Sequence, residues 1–212
     1  MKKVFLIGDS IRMGYDKYVK EALLGAAEVY YPAENCRFAV NVLRFAHQWK
    51  EQLELDEEVD LVHWNAGLWD VLEPDGEPMM PIDAYASHIA RIDRRLRQLF
   101  PKAKLVFATS TPVIDGGKGF YVRHNSTIEE YNKRAIEALA ETDTVINDLY
   151  SIAAKFPESY HSDVTHYKTP EGTENIGGAV ITVICRELGI KANEVKIANF
   201  EPEKYTAENI GM

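Results

Sequence analysis

The feature of this chain that most restricts its fold is a regular exchange between short β-rich segments and longer helical patterns. Residues 3–7, 28–31, 60–64, 104–108 and 144–146 are brief apolar or β-branched runs and read as strands. Helical patterns fill the intervals. The clearest covers residues 82–100, where Ile82, Tyr85, Ile89, Ile92, Leu96 and Leu99 recur every three or four residues and Pro101 marks the stop. Another begins at Ser126, which has capping-box spacing to Glu129. The last starts with Thr169 as N-cap and Pro170 at the first helical position, and ends before Gly189. Strands alternating with helices require right-handed crossovers, which give parallel strands covered on both faces. The expected architecture is α/β: a three-layer α/β/α sandwich around a five-stranded parallel sheet of flavodoxin-like topology.

A chain of 212 residues, 46% of them hydrophobic, can bury one sizeable core. One domain is expected over residues 1–190, with the polar, weakly patterned stretch 191–212 as an extension of unassigned role. The apolar run at residues 4–7 is too short for a secretion signal, and no run approaches the length of a membrane span. Cys36 and Cys185 form no C-x-x-C pair, so a cytoplasmic protein without a membrane partner is expected. A net charge of -9 opposes approach to a polyanion. The basic cluster Arg91, Arg94, Arg95 and Arg97 falls on an amphipathic helical pattern as a solvated face, so nucleic acid is not an expected partner. Oligomeric state is left open.

Ligands of such sheets bind at the carboxyl ends of the strands, which directs attention to residues 8–12, 66–81, 110–125 and 157–169. Gly8-Asp9-Ser10-Ile11 follows the first strand, so Ser10 stands at a strand-to-helix turn. Free N–H groups and the positive end of a helix dipole favour an oxyanion there. Capping the helix through Met13 is the competing role for the same serine. Asp163 and His166 lie three apart, a spacing that sets both on one side of a turn, where a carboxylate can orient an imidazole. Histidine suits the task because its ordinary pKa of about 6.5 lets it take and return a proton near neutrality. An aspartate cap beside a surface histidine is the plainer alternative.

Other residues carry weaker signals. Gly116-Gly117-Lys118-Gly119 lacks phosphate-loop spacing and reads as a flexible active-site loop able to act as a lid. His161, Asp163 and His166 have no further ligand cluster to support them, so no metal is expected. Tyr15, Trp64, Trp69 and Tyr121 offer aromatic surface to a sugar or acyl group, with core packing as the default, and Arg12 and Arg123 are expected to be solvated.

Gly8-Asp9-Ser10-Ile11 near one end and Asp163-x-x-His166 near the other resemble the first and last signature blocks of the SGNH/GDSL hydrolases, over roughly residues 3–188. The resemblance implies ester hydrolysis through an acyl-enzyme, without metal or organic cofactor, with Ser10, Asp163 and His166 as the triad. The middle blocks depart from the pattern. The family shows Gly-x-Asn-Asp after the third strand, and that asparagine joins the serine N–H and a second-block glycine N–H in the oxyanion hole. Here the run is Gly67-Leu68-Trp69-Asp70, with Trp69 in the asparagine's place, and the second block, Glu34-Asn35-Cys36-Arg37-Phe38, has no glycine. A backbone N–H near Cys36, the side chains of Asn35 or Asn65, and the Trp69 indole are the candidate replacements, with Gly67 and Asp9 completing the expected oxyanion and substrate-binding set. Asp70 is expected to brace its loop. Loss of one such donor costs on the order of 100- to 1000-fold in rate.

Gly8-Asp9-Ser10-Ile11-Arg12-x-Gly14-Tyr15 together with Asn65-x-Gly67-Leu68-x-Asp70 also looks like bacterial members associated with carbohydrate esters. The expected function is a serine esterase acting on a small or carbohydrate-linked acetyl ester. The alternatives are a non-catalytic carbohydrate- or ligand-binding protein on the same fold, and a flavodoxin-like nucleotide or flavin binder.

Overall fold

The computed structural model describes residues 1–115 and 122–197. In chain order the elements are β1 (Lys2–Ile7), α1 (Ser10–Ala22), β2 (Ala27–Tyr30), α2 (Ala39–Gln52), β3 (Leu61–Trp64), α3 (Ile82–Leu99), β4 (Lys104–Ala108), α4 (Asn125–Leu139), β5 (Val145–Asn147), α5 (Leu149–Ala153) and α6 (Pro170–Leu188). The five strands are parallel and ordered β2-β1-β3-β4-β5, with Val4 opposite Leu61 and Leu61 opposite Lys104. Helices α1 and α6 pack together on one face, with α5 against α6, while α2, α3 and α4 form the other layer. This is the three-layer α/β/α arrangement that the alternation predicts.

Burial on both faces explains why the strands read as unbroken apolar runs. Val4, Phe5, Leu6 and Ile7 of β1 and Leu61, Val62 and Trp64 of β3 are all fully buried. His63 shares that interior; burial pushes its pKa down to about 3, and its neutral ring meets the Asn147 amide at 3.2 Å. On α3 the predicted stripe is the buried one, Tyr85, Ile89, Ile92, Leu96 and Leu99, while Arg91 and Arg94 face solvent. The clustered Arg97 bonds Asp93 one turn back and Thr144 before β5.

The ends of α6 follow the sequence signals: Thr169 Oγ1 accepts from the Gly172 N–H at 3.0 Å, and Gly189 closes the helix in the left-handed conformation. The start of α4 does not. The helix begins at Asn125 and the Ser126–Glu129 capping box does not form. Asn125 instead accepts from the Val113 N–H (2.9 Å) and donates to the Val113 carbonyl (2.8 Å), a tertiary clamp that brings the chain into the helix one residue early. Glu129 is engaged by the Tyr150 hydroxyl at 2.7 Å.

The run Gly116–Gly119, Tyr121 and residues 198–212 lie outside the described residues. Within the described part of the tail, Asn193 donates through its backbone to Ala22 and through its side chain to Leu24, both at 2.7 Å, fastening the chain to the end of α1. Among the described residues no helix is long and apolar enough to cross a membrane.

The strand order fixes where a ligand can sit. After β1 the chain turns toward β2 on one side of the sheet, and after β3 it turns toward β4 on the other, which opens a crevice beyond the carboxyl ends of β1 and β3. Ser10 and residues 65–70 stand at that crevice.

Candidate active site

The turn from β1 into α1 is tight. A Cβ at Gly8 would stand 2.7 Å from the Arg12 Cβ, so the position requires glycine. Asp9 caps α1: its Oδ1 accepts from the Ile11 N–H (2.9 Å) and its carbonyl from the Met13 N–H (3.2 Å). The cap that the sequence offered to Ser10 is therefore filled by its neighbour, and the Ser10 hydroxyl lies 2.8 Å from His166 Nε2, across 156 residues of chain.

His166 Nδ1 faces Asp163, at 2.8 Å from Oδ2 and 2.9 Å from Oδ1. Asp163 Oδ1 also accepts from the backbone N–H groups of Thr165 (2.8 Å) and His166 (2.9 Å), so one carboxylate both shapes the loop and orients the ring. The Ser162 N–H closes the turn onto the His166 carbonyl at 2.7 Å. Two bonds of 2.8 Å then hold the loop to the segment after β4, from the Ile114 N–H to the Val164 carbonyl and from the Tyr167 hydroxyl to the Pro112 carbonyl. Burial raises the Asp163 pKa, but the bond to His166 and its charge outweigh that and hold the carboxyl well below the usual range. With Nδ1–H directed at a carboxylate, Nε2 is left to accept a proton from Ser10. His161 stacks on Tyr167 with ring centroids 4.0 Å apart.

The remaining expected site residues are placed differently. The Cys36 N–H donates to the Gly8 carbonyl at 3.2 Å, because the loop after β2 must satisfy a group left over at the end of β1. Asn35 is buried, and its Oδ1 accepts from the Arg37 N–H at 3.0 Å. Asn65 commits an amide proton to the Ala108 carbonyl at 2.8 Å and its backbone N–H to Ile7 at 3.0 Å, clamping three strand ends together. Asp9 is 1% exposed and serves the helix as its cap. Gly67 has φ 156, and a Cβ there would meet Ser110 Oγ at 2.3 Å, so this loop lies against the end of β4 only because residue 67 is glycine. Trp69 is half-buried, edge-on to Phe38 with centroids 5.6 Å apart. Tyr15 and Trp64 are core residues, Trp64 lying 4.7 Å from the Phe107 ring.

Arg12 and Arg123 overturn the expectation that they are solvated, being 2% and 6% exposed. Arg12 donates to the Glu34 carbonyl (2.6 Å) and pairs with Asp16, joining α1 to the loop after β2. Arg123 donates through Nε to the Leu68 carbonyl, joining the approach to α4 to the loop after β3. Loops at strand ends carry carbonyls with no ladder partner, and a guanidinium satisfies them from a distance. Composition points the other way, since arginine is usually exposed. For Arg12 the one available signal was the four-residue spacing to Asp16.

Asp70 braces its loop, as expected. It is fully buried, and both its oxygens accept from the Ala39 N–H at the start of α2, at 3.2 and 3.1 Å. Burial pushes its pKa up to about 7 although that hydrogen bond pulls the other way. A carboxyl that binds its proton more tightly when folded stabilises the fold below its ordinary titration range and loses that contribution as pH rises toward the folded value. Wild type is therefore expected to lose about 2–4 kcal/mol relative to Asp70→Asn between about pH 4 and pH 7.5, measured by urea unfolding of both proteins across that range.

No protein-family model matches the chain, and no curated protein matches it by sequence. Solved structures do match in three dimensions. A lipase/acylhydrolase from Enterococcus faecalis superposes with a TM-score of 0.68 at 19% identity, over 92% of this chain and 100% of that one. A carbohydrate esterase family 3 protein from Talaromyces cellulolyticus gives 0.65 at 18%, over 90% and 100%. The acetyl xylan esterase AlAXEase gives 0.64 at 16%, over 86% and 98%. The chain has the fold of these acylhydrolases and esterases, along essentially its whole described length.

Proposed function

We propose that the protein is a serine ester hydrolase with Ser10 as nucleophile, His166 as base and then acid, and Asp163 as the group that holds the imidazole. The observation that carries this reading is the continuous relay from Ser10 Oγ to His166 Nε2 at 2.8 Å and from Nδ1 to Asp163 Oδ2 at 2.8 Å. In the mechanism, Ser10 Oγ attacks the ester carbonyl as its proton passes to Nε2. The alcohol leaves with that proton, and water enters by the same route to release the acid and free the serine. The Ser10 N–H and the positive end of α1 stabilise the oxyanion. With the Cys36 N–H engaged by Gly8, we assign the further donors to the loop 65–70 that follows β3 and contains Gly67 and Trp69.

The substrate we assign is a small or carbohydrate-linked ester with a short acyl group, acetyl above all. A fold shared with an acetyl xylan esterase and a carbohydrate esterase supports that choice. Two free thiols, Cys36 and Cys185, support a reducing, cytoplasmic setting. We take residues 1–190 as the hydrolase domain and 191–212 as its extension.

A serine-directed fluorophosphonate tests the reading. One equivalent of label, mapped to Ser10 by peptide mass analysis, is the expected result. Hydrolysis of p-nitrophenyl acetate with no label on Ser10 overturns the assignment of the nucleophile, and absence of both label and hydrolysis leaves a ligand-binding protein on a hydrolase fold.

A further inference from the structure

A second recess, of about 280 Å³, opens beyond the carboxyl ends of β4 and β5, between α4 and the start of α5. That is close to the lower size of a small-molecule pocket, about 300 Å³. Thr109, directly after β4, lines it together with Asn132, Lys133 and Ile136 of α4 and Tyr150 and Ser151 of α5. None of Ser10, Asp163 and His166 does. Only β3 separates β4 from β1, so Thr109 stands roughly 10 Å across the sheet from the turn that carries Ser10. A chain of contacts leads from one place to the other. The Ser110 N–H donates to Asn132 Oδ1 at 2.8 Å, the Asn132 amide donates to the Ser110 carbonyl at 2.9 Å, and Ser110 lies against Gly67 in the loop after β3.

Hydrogen bonds within the protein set the walls of this recess in advance, which lowers the ordering cost of filling it. The Tyr150 hydroxyl donates to Glu129 at 2.7 Å and ties α5 to α4, while the Tyr150 N–H donates to Thr109 Oγ1 at 2.9 Å. Asp148 Oδ1 accepts from the Thr109 hydroxyl and from the Ser151 N–H, both at 3.1 Å. The Tyr150 ring is half-buried, and Ile136 is 38% exposed on a helix face that is otherwise polar here.

The lining selects among ligand classes by its charge. Glu129, Glu137 and Asp148 outnumber Lys133, so an anion is repelled. The carboxylates are already engaged, Glu129 by Tyr150, Glu137 by Arg134 and Asp148 by Thr109, and among the described residues no group of three such side chains could hold a metal ion. A neutral ligand with hydroxyls that both donate and accept fits the carboxylates, the Lys133 ammonium and the Ser151 hydroxyl together. The tyrosine ring and Ile136 offer apolar surface to its C–H groups. We propose that this recess binds a neutral sugar unit and thereby retains a carbohydrate chain whose ester is cleaved at Ser10. The retention rests on the esterase reading above, whereas the binding does not.

The test is titration of 15N-labelled wild type with xylotetraose and with cellotetraose, neither of which carries an ester. Amide signals of Tyr150 and Ser151 are expected to shift with at least one of them, and that affinity is expected to fall about 10-fold in Tyr150→Ala. Ile136→Ser, at an exposed position where the fold is not at risk, is expected to weaken binding about 3-fold. Tyr150→Ala is also expected to raise KM for acetylated xylan about 10-fold while leaving kcat/KM for p-nitrophenyl acetate unchanged. Absence of shifts with both sugars, shifts confined to the Ser10 and His166 region, or affinities unmoved in both variants overturn the sugar site and leave the esterase reading in place. An unchanged KM for acetylated xylan in Tyr150→Ala overturns the retention. Sugar binding at Tyr150 in a wild type inactive on p-nitrophenyl acetate and acetylated xylan supports the site and overturns the esterase reading.

Discussion

Ser10→Ala is expected to lower kcat on p-nitrophenyl acetate by about 1,000- to 100,000-fold, with thermal unfolding within a degree or two of wild type. The size of the effect follows from the removal of the atom that would bond to the acyl group. The unchanged stability follows from the local structure. The Ser10 side chain is bonded to His166, while the cap of α1 is supplied by Asp9, and alanine is the better residue inside a helix. Activity and stability should thus separate cleanly at this position. His166→Ala is expected to cost a similar factor, and the double variant little more than either, since a nucleophile without its base is already disabled. A Ser10→Ala protein that keeps more than a tenth of wild-type activity would mean that some other group attacks the ester.

Asp163→Asn is expected to reduce kcat by about 100- to 10,000-fold. The hydrogen bonds give a specific reason. Asp163 Oδ1 accepts two backbone N–H groups, from Thr165 and His166, and an asparagine can keep both only by placing its carbonyl oxygen there. Its NH2 group must then occupy the position of Oδ2, facing His166 Nδ1. An amide that donates to Nδ1 leaves the ring proton on Nε2, directed at Ser10, and a ring in that tautomer cannot take the serine proton. The loop stays folded while the imidazole carries its proton on the wrong nitrogen. The check is kcat beside a thermal melt. Near-normal kcat in a folded Asp163→Asn protein would reduce the role of this carboxylate to shaping the turn.

Much of the architecture is legible in the sequence because its determinants are local. Thr169, Pro170 and Gly189 punctuate α6 through bonds within a few residues of chain, and buried strands announce themselves as apolar runs whatever lies beside them. The start of α4 is not legible, because Asn125 is fixed by Val113, twelve residues away, and no local pattern records that clamp. The same division runs through the site. Ser10, Asp163 and His166 stand out in the sequence by the chemistry of their side chains, and the fold brings the three within hydrogen-bond distance. The partner of the Cys36 N–H is not legible because a backbone donor is the same on every residue, and only the fold decides which carbonyl it meets. Arg12 and Arg123 are buried against the expectation of solvated arginines because their acceptors, the carbonyls of Glu34 and Leu68, are equally anonymous in sequence.

The turn that carries Asp163 and His166 has a bearing on how such proteins diversify. Its internal bonds close between Ser162 and His166, and the described ties to the rest of the molecule include one from Ile114 and one to Pro112. On the proposed reading, the acid–base half of the relay is a short cassette of neighbouring residues seated on the edge of the sheet. Substitutions confined to this turn are therefore expected to remove or restore the pair while the sheet stays folded, so turnover and mere recognition would differ by a few neighbouring residues.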